Sequence, residues 1–139
     1  MLRSLSDNYL RAAGAAALAP ALAANGSLTA LDLSYNKLED EGVSAVCEAI
    51  QSNKETKLVS LNFKNNEIGP VGANAVAAMV AVTGSLTSLD VRSNNIAGDG
   101  AAQLSAAVLG NLKIKMFNEI PIKEMYANSI TELASSCDW

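Results

Sequence analysis

The sequence predicts an α/β solenoid, a stack of similar units that each hold one short strand and one helix. Three observations predict it. A motif of leucines and one asparagine recurs at steps of 28 to 30 residues. A second apolar pattern, at helical spacing, follows each copy. The composition is aliphatic: of 139 residues 50% are apolar and only 4% aromatic, which suits thin layers of similar size.

The strands come first in each unit. Leu28-x-x-Leu31-x-Leu33-x-x-Asn36-x-Leu38 is followed by Gly42. Leu58-x-x-Leu61-x-Phe63-x-x-Asn66-x-Ile68 is followed by Gly72, and Leu86-x-x-Leu89-x-Val91-x-x-Asn94-x-Ile96 by Gly100. Leu5, Asn8, Leu10 and Gly14 fall in the same register, so a fourth copy starts inside its own strand. The alternation in Leu-x-x-Leu-x-Leu is that of a strand with one buried face.

The helices follow each glycine. Leu18, Val46, Val76 and Leu104 lie four residues on, and Leu22, Ile50, Val80 and Val108 eight residues on. With Ala17, Ala45 and Ala75 at the third position, where Gln103 is the exception, and Ala21, Ala49, Met79 and Ala107 at the seventh, they predict one apolar helix face. The glycines are expected to mark the turn into each helix, and Pro70 to sit in a first turn. One such unit cannot bury its apolar face alone, but stacked units can.

This pattern resembles the leucine-rich repeat of the ribonuclease-inhibitor type, a subclass that includes Ran GTPase-activating proteins and the sensor region of NOD-like receptors. The match runs over roughly residues 3–111. The resemblance implies a right-handed horseshoe, with a parallel β-sheet on the concave face and α-helices on the convex face. The expected organisation is a single domain over 1–139: a partial repeat 1–27, repeats 28–57, 58–85 and 86–111, and a degenerate repeat or cap 112–139. Asn8, Asn36, Asn66 and Asn94 are expected to form a buried ladder. Where the strand ends, backbone groups lose their partners, and an asparagine amide can both donate and accept.

Beyond Asn111 the register breaks. Leu112, Ile114 and Met116 alternate as a short strand, but no asparagine falls where one is due. Ile120 to Met125 reads as an edge turn or short helix. Ser129-Ile130-Thr131-Glu132-Leu133 reads as a fifth strand, with a capping helix through Ile130, Leu133 and Cys137 as its rival. Neither end shows a polar cap of the sort terminal repeats need. The expectation is a piece of a longer repeat protein, or a short member that docks through its ends on something larger. The tail and Trp139 could serve as an improvised cap. The start, Met1-Leu2-Arg3 followed by an alanine-rich stretch, imitates a secretory signal. Asp7 and the scarcity of leucine count against that, and the repeat accounts for the same residues.

The sequence argues against several kinds of chemistry. It has no histidine, so the commonest general base and metal ligand are missing. Two cysteines, Cys47 and Cys137, make neither a zinc site nor a disulfide scaffold and suit reduced thiols. Gly98-Asp99-Gly100 is explained by the repeat, and Glu39, Asp40 and Glu41 by the positive end of a helix dipole. Asn25-Gly26-Ser27 is a glycosylation sequon that matters only for a secreted chain. A net charge of −4 argues against nucleic-acid binding, and no apolar run is long enough to insert in a membrane. No catalytic residue, metal or cofactor is expected, and a cytoplasmic location is.

The remaining candidates project from the strand face: Asp32, Ser34 and Tyr35; Asn62, Lys64 and Asn65; Asp90, Arg92 and Ser93. Tyr and Arg are enriched at interface hot spots, which singles out Tyr35 and Arg92. Tyr9 and Lys37 are expected to be merely exposed in the outer turns. The expected function is a non-enzymatic module that binds a protein partner through the concave face. The alternatives are a structural subunit or spacer and, by the resemblance, a small-GTPase regulator with Arg92 as its arginine finger.

Overall fold

The computed structural model describes residues 2–122. Ser129–Leu133, Cys137 and Trp139 lie outside the described residues, so the choice between fifth strand and capping helix does too. Strand and helix alternate along the chain: β1 (Leu2–Ser4), α1 (Arg11–Ala24), β2 (Ala30–Asp32), α2 (Glu39–Ser52), β3 (Ser60–Asn62), α3 (Pro70–Val82), β4 (Ser88–Asp90), α4 (Gly98–Gly110), β5 (Met116–Phe117) and β6 (Ile120–Pro121). The strands form one sheet in sequence order, and β1 through β5 run parallel.

The register explains why the leucines repeat. Leu31 pairs with Leu61, Leu61 with Leu89, and Leu89 with Phe117, so each stacks on the residue one repeat away. All four point inward and are at most 2% exposed. Burying each such side chain is worth about 1.5–3 kcal/mol. Below them lie Leu33, Phe63 and Val91, then Leu38, Ile68 and Ile96, all buried. Parallel strands sit about 4.8 Å apart, whereas packed helices need about 8–10 Å. The sheet is therefore the short side of the stack and the helix layer the long side.

The helices bury a face rotated from the expected one. In α2 the buried residues are Gly42, Val43, Val46, Cys47, Ala49 and Ile50. In α4 they are Gly100, Ala101, Leu104, Ser105 and Val108. The position after each glycine thus belongs to the core. Ala45 and Ala75, three after it, are only half-buried, and Ala17 and Gln103 are exposed. Gln103 is no exception to the pattern, because its position faces outward.

The glycines also sit differently from expectation, inside the first helical turn rather than in the turn before it. Their reason is close packing between neighbouring helices. A β-carbon on Gly42 would lie 3.2 Å from Ala12 Cα and 3.3 Å from Ala15 Cβ of α1. On Gly72 it would lie 2.7 Å from an oxygen of Asp40 in α2. That carboxylate accepts the Gly69 N–H at 2.6 Å, so Asp40 serves the start of the next helix.

Asparagines bridge the coils on the strand side. Asn66 Oδ1 accepts the backbone N–H of Asn36 at 3.0 Å and of Leu38 at 3.3 Å. Its Nδ2 donates to the carbonyls of Leu33, Phe63 and Lys64. Asn36 and Asn94 make the same set one repeat earlier and later. The burial is uneven. Asn36 and Asn66 are fully buried, Asn94 is half-buried, and Asn8, in the first coil, is exposed.

A second set of polar rungs, unforeseen from the sequence, lies at the helix C-termini. Asn53 Nδ2 donates to the carbonyls of Leu22 and Asn25, and Asn111 Nδ2 to that of Val80. Thr83 fills the equivalent place in α3 by bonding its own helix through Met79 O at 2.7 Å. The sequon residue Asn25 belongs to this set, with its Oδ1 accepting the N–H of Ser27 and Leu28.

The C-terminal edge of the sheet differs from the predicted strand. Leu112 is 86% exposed and takes no part, while Ile114 is buried where Leu86 sits one repeat before. After β5 the chain reverses at Asn118 and Glu119, both with positive φ, and β6 returns antiparallel to β5. This is the two-residue hairpin geometry that favours Asn. The missing asparagine of this coil is explained by the reversal. Asn118 supplies a substitute contact, its Oδ1 accepting the Val91 N–H at 2.8 Å.

Candidate interaction surface

The strand-face residues divide into those the backbone already uses and those left for a partner. Asp32, Asn62 and Asp90 occupy the same place in three repeats. Each accepts, at Oδ1, the N–H two residues on: Ser34 at 2.9 Å, Lys64 at 2.9 Å and Arg92 at 3.0 Å. These side chains hold the strand end as it turns, the ordinary work of Asp and Asn in such positions. Ser34 is 4% exposed and donates its hydroxyl to Asp32, and Asp90 is 9% exposed. Neither presents the free surface the sequence led us to expect.

Arg92 is also committed. Its guanidinium donates from Nε and Nη2 to the Asp90 carboxylate, with Nη2–Oδ2 at 2.9 Å. The same Nη2 lies 3.0 Å from Glu119 Oε1 in the hairpin. Arg92 therefore ties β4 to the β5–β6 turn.

Of the nine candidates only Ser34 and Asp90 are buried; Asp32, Asn62, Lys64 and Arg92 are half-exposed, and Tyr35, Asn65 and Ser93 are exposed. Tyr35, Asn65 and Ser93 lie just past the strands, so the available surface shifts from the strands toward the turns that lead into the helices. There it joins residues that sequence reasoning had set aside. Asp7, Tyr9, Tyr35, Lys37, Asn65 and Glu67, from three successive turns, line a shallow groove of about 120 Å³. Tyr9 is 62% and Tyr35 45% exposed. The Lys37 Nζ sits 5.4 Å from the centre of the Tyr9 ring, and the Lys64 Nζ 6.0 Å from that of Tyr35. Each tyrosine thus meets the lysine of the next coil. One signal could have found the six groove residues: they sit in pairs on either side of the ladder asparagines Asn8, Asn36 and Asn66.

All six groove residues have φ between 49° and 59°, in the left-handed region. A side chain there costs about 1–2 kcal/mol. The neighbouring asparagine rungs hold the conformation, because the residue between each pair is a ladder position. The turn thereby displays alternate side chains outward from a fixed backbone.

Two other features carry no comparable chemistry. The loop between α2 and β3 is two residues longer than its counterparts, and beside it a cleft of about 510 Å³ opens, lined by Asn53, Lys54, Thr56, Val82 and Gly84 among others. Among the described residues Lys54 is the only charged group lining it. Cys47 is completely buried in α2, and burial, with the nearby Glu48 charge, pushes its thiol well above the usual value. A thiol held protonated in the core is not a nucleophile. Among the described residues no helix is long and apolar enough to cross a membrane.

Comparison with known proteins agrees with this geometry. A model of the leucine-rich repeat family matches residues 24–47, 54–77 and 85–105, each taking in one strand and much of the helix after it. No curated protein sequence matches the chain. Among solved structures, that of "Leiomodin-1 Actin-Binding Site 2 (ABS2)" is similar in fold, with a TM-score of 0.74 at 18% identity. The similarity covers 96% of this chain and 78% of that one. The stacked leucines, the bridging asparagines, the parallel sheet and three matched repeats agree: the chain is a leucine-rich repeat protein.

Proposed function

We propose that this chain is a non-enzymatic protein-interaction module that binds a protein partner on the sheet side of the stack, centred on Tyr35. The observation that carries the reading is the groove. It presents two exposed tyrosines and Lys37, with Lys64 over the Tyr35 ring beside it, on turns held by the asparagine ladder, so little conformational freedom is left to lose on binding. Exposed tyrosines in such settings are typical interface anchors. The leiomodin structure supports the reading, since a chain of the same fold is there named an actin-binding site. The ribonuclease-inhibitor subclass and a cytoplasmic setting belong to the same proposal. They rest on the repeat length of 28 to 30 residues and on a buried, unpaired thiol at Cys47.

The GTPase-regulator alternative loses its main support. An arginine finger must reach into a partner's active site, whereas Arg92 is held by Asp90 and Glu119.

The test is affinity purification with the wild-type chain and with Tyr35→Ala. The substitution removes an exposed ring and is expected to weaken partner recovery about tenfold or more, as a hot-spot loss does, with the melting temperature nearly unchanged. Equal recovery of every partner by both chains would place the binding surface elsewhere.

A further inference from the structure

We infer that the β1 end of the stack takes an extended segment of another polypeptide, paired parallel to β1, with a leucine to fill the open core and a carboxylate to meet Arg3. This surface is separate from the Tyr35 groove, so the inference goes beyond the reading above.

The hydrogen bonds between coils carry it, because they recur at successive junctions. Asn36, Asn66 and Asn94 each accept, at Oδ1, two backbone N–H groups two residues apart in the coil before. Carbonyls beside them face the same way. Those of Asp32, Ser34 and Asn36 accept the N–H groups of Leu5, Asp7 and Arg11. Those of Asn62, Lys64 and Asn66 accept the N–H groups of Leu33, Tyr35 and Glu39. In the first coil the equivalent acceptors are the carbonyls of Ser4, Ser6 and Asn8, with Asn8 Oδ1. β1 is the edge strand, and among the described residues no coil lies beyond it. The end is thus a row of acceptors in the register of a parallel neighbour, which a strand and its turn match with backbone N–H groups.

The side chains define the rest of the occupant. Leu5, Leu10 and Leu18 are only half-buried, whereas Leu33, Leu38 and Val46, one repeat on, are buried. A cavity of about 230 Å³ opens beside them, lined by Leu5, Leu18, Ala21, Leu22 and Leu28 among others. Arg3 lines it too, exposed, and in register it stands where the next coil has Leu31. Among the described residues no carboxylate lies within ion-pair distance of Arg3. A second copy fits poorly. Its own β1 end brings acceptors to acceptors and Arg3 to Arg3. Its β6 edge runs antiparallel and holds Pro121, which has no N–H to donate.

The experiment is fluorescence anisotropy with the full chain and labelled peptides of the sequence of residues 28–38. Three peptides carry Glu, Leu or Lys in the place of Leu31. A fourth carries Glu there and is N-methylated at the places of Asn36 and Leu38, which removes the two donors to Asn8 Oδ1. The Glu peptide is expected to bind most tightly and the Lys peptide least. N-methylation, or Asn8→Ala in the chain, is expected to weaken the Glu peptide about tenfold or more. Arg3→Glu is expected to reverse the order of the Glu and Lys peptides, with circular dichroism to check folding. Tyr35→Ala is expected to change nothing, since the groove is elsewhere. Binding by no peptide, equal binding of the N-methylated peptide, or equal binding of the Glu and Lys peptides overturns the inference, and these arms need no variant. Loss of binding in Tyr35→Ala would move the peptide to the groove and overturn it as well. So would light scattering that shows dimers which the Glu peptide does not disperse, because the occupant is then a second copy.

Discussion

A single asparagine shows how much one residue can hold in this fold. Asn66 accepts two backbone N–H groups of the coil before it and donates to three carbonyls spread over two coils. It is fully buried, so no water can replace it. Asn66→Ala is expected to cost about 2–4 kcal/mol, since leaving a buried polar group unpaired costs about 1–3 kcal/mol and several are orphaned. Asn8→Ala, at the exposed end of the ladder, is expected to cost less than about 1 kcal/mol, because its two carbonyl contacts lie near solvent. Urea unfolding of both variants measures the difference. Similar losses at both positions would show that burial is not what makes the rung strong.

At the scale of the element, the helices depend on residues with no side chain. Gly42 faces α1, where an added β-carbon would meet the Cα of Ala12 at 3.2 Å, a backbone atom that cannot swing away. Gly42→Ala is therefore expected to be destabilising by about 1–3 kcal/mol, the usual range for overpacking, although alanine is the better helix former. Gly110, the last residue of α4, has open space around it and no positive φ. Gly110→Ala is expected to be neutral or stabilising by up to about 1 kcal/mol, through a less flexible unfolded chain. Thermal unfolding of the pair separates packing from propensity. A rise in melting temperature for Gly42→Ala would remove the close-approach argument. Proximity of this kind was hidden in the sequence, where all the glycines looked alike as punctuation.

Taken as a whole molecule, the chain is a one-dimensional stack, so each unit is stabilised by its two neighbours. The units around β2 and β3 have a coil on both sides and carry both fully buried rungs, Asn36 and Asn66. The C-terminal end of the described stack is less well satisfied: Ser105 Oγ in α4 and Asn118 Nδ2 after β5 are buried without hydrogen-bond partners among the described residues. Native-state hydrogen exchange is expected to show the slowest amides around Leu61 and faster exchange at β1 and at the β5–β6 hairpin, as local opening starts at the ends. Uniform protection along the stack would mean that it unfolds as a single cooperative block.

The sequence by itself determined the repeat, the alternation of strand and helix, the inward leucines and the positions of the ladder asparagines. Those features recur at a constant step, and a parallel register turns equal spacing into stacking. Tertiary structure alone decided which polar residues remain available. Asp32, Asn62 and Asp90 read only as partner contacts, and the structure adds that each accepts a backbone N–H, from Ser34, Lys64 and Arg92. Tyr9 and Lys37 read as merely exposed and Tyr35 as a strand-face contact, 26 and 2 positions away from them in sequence, until stacking set all three along one groove. Periodicity reveals what every repeat has in common. What differs between repeats, and so makes a surface specific, acquires neighbours only when the coils are stacked.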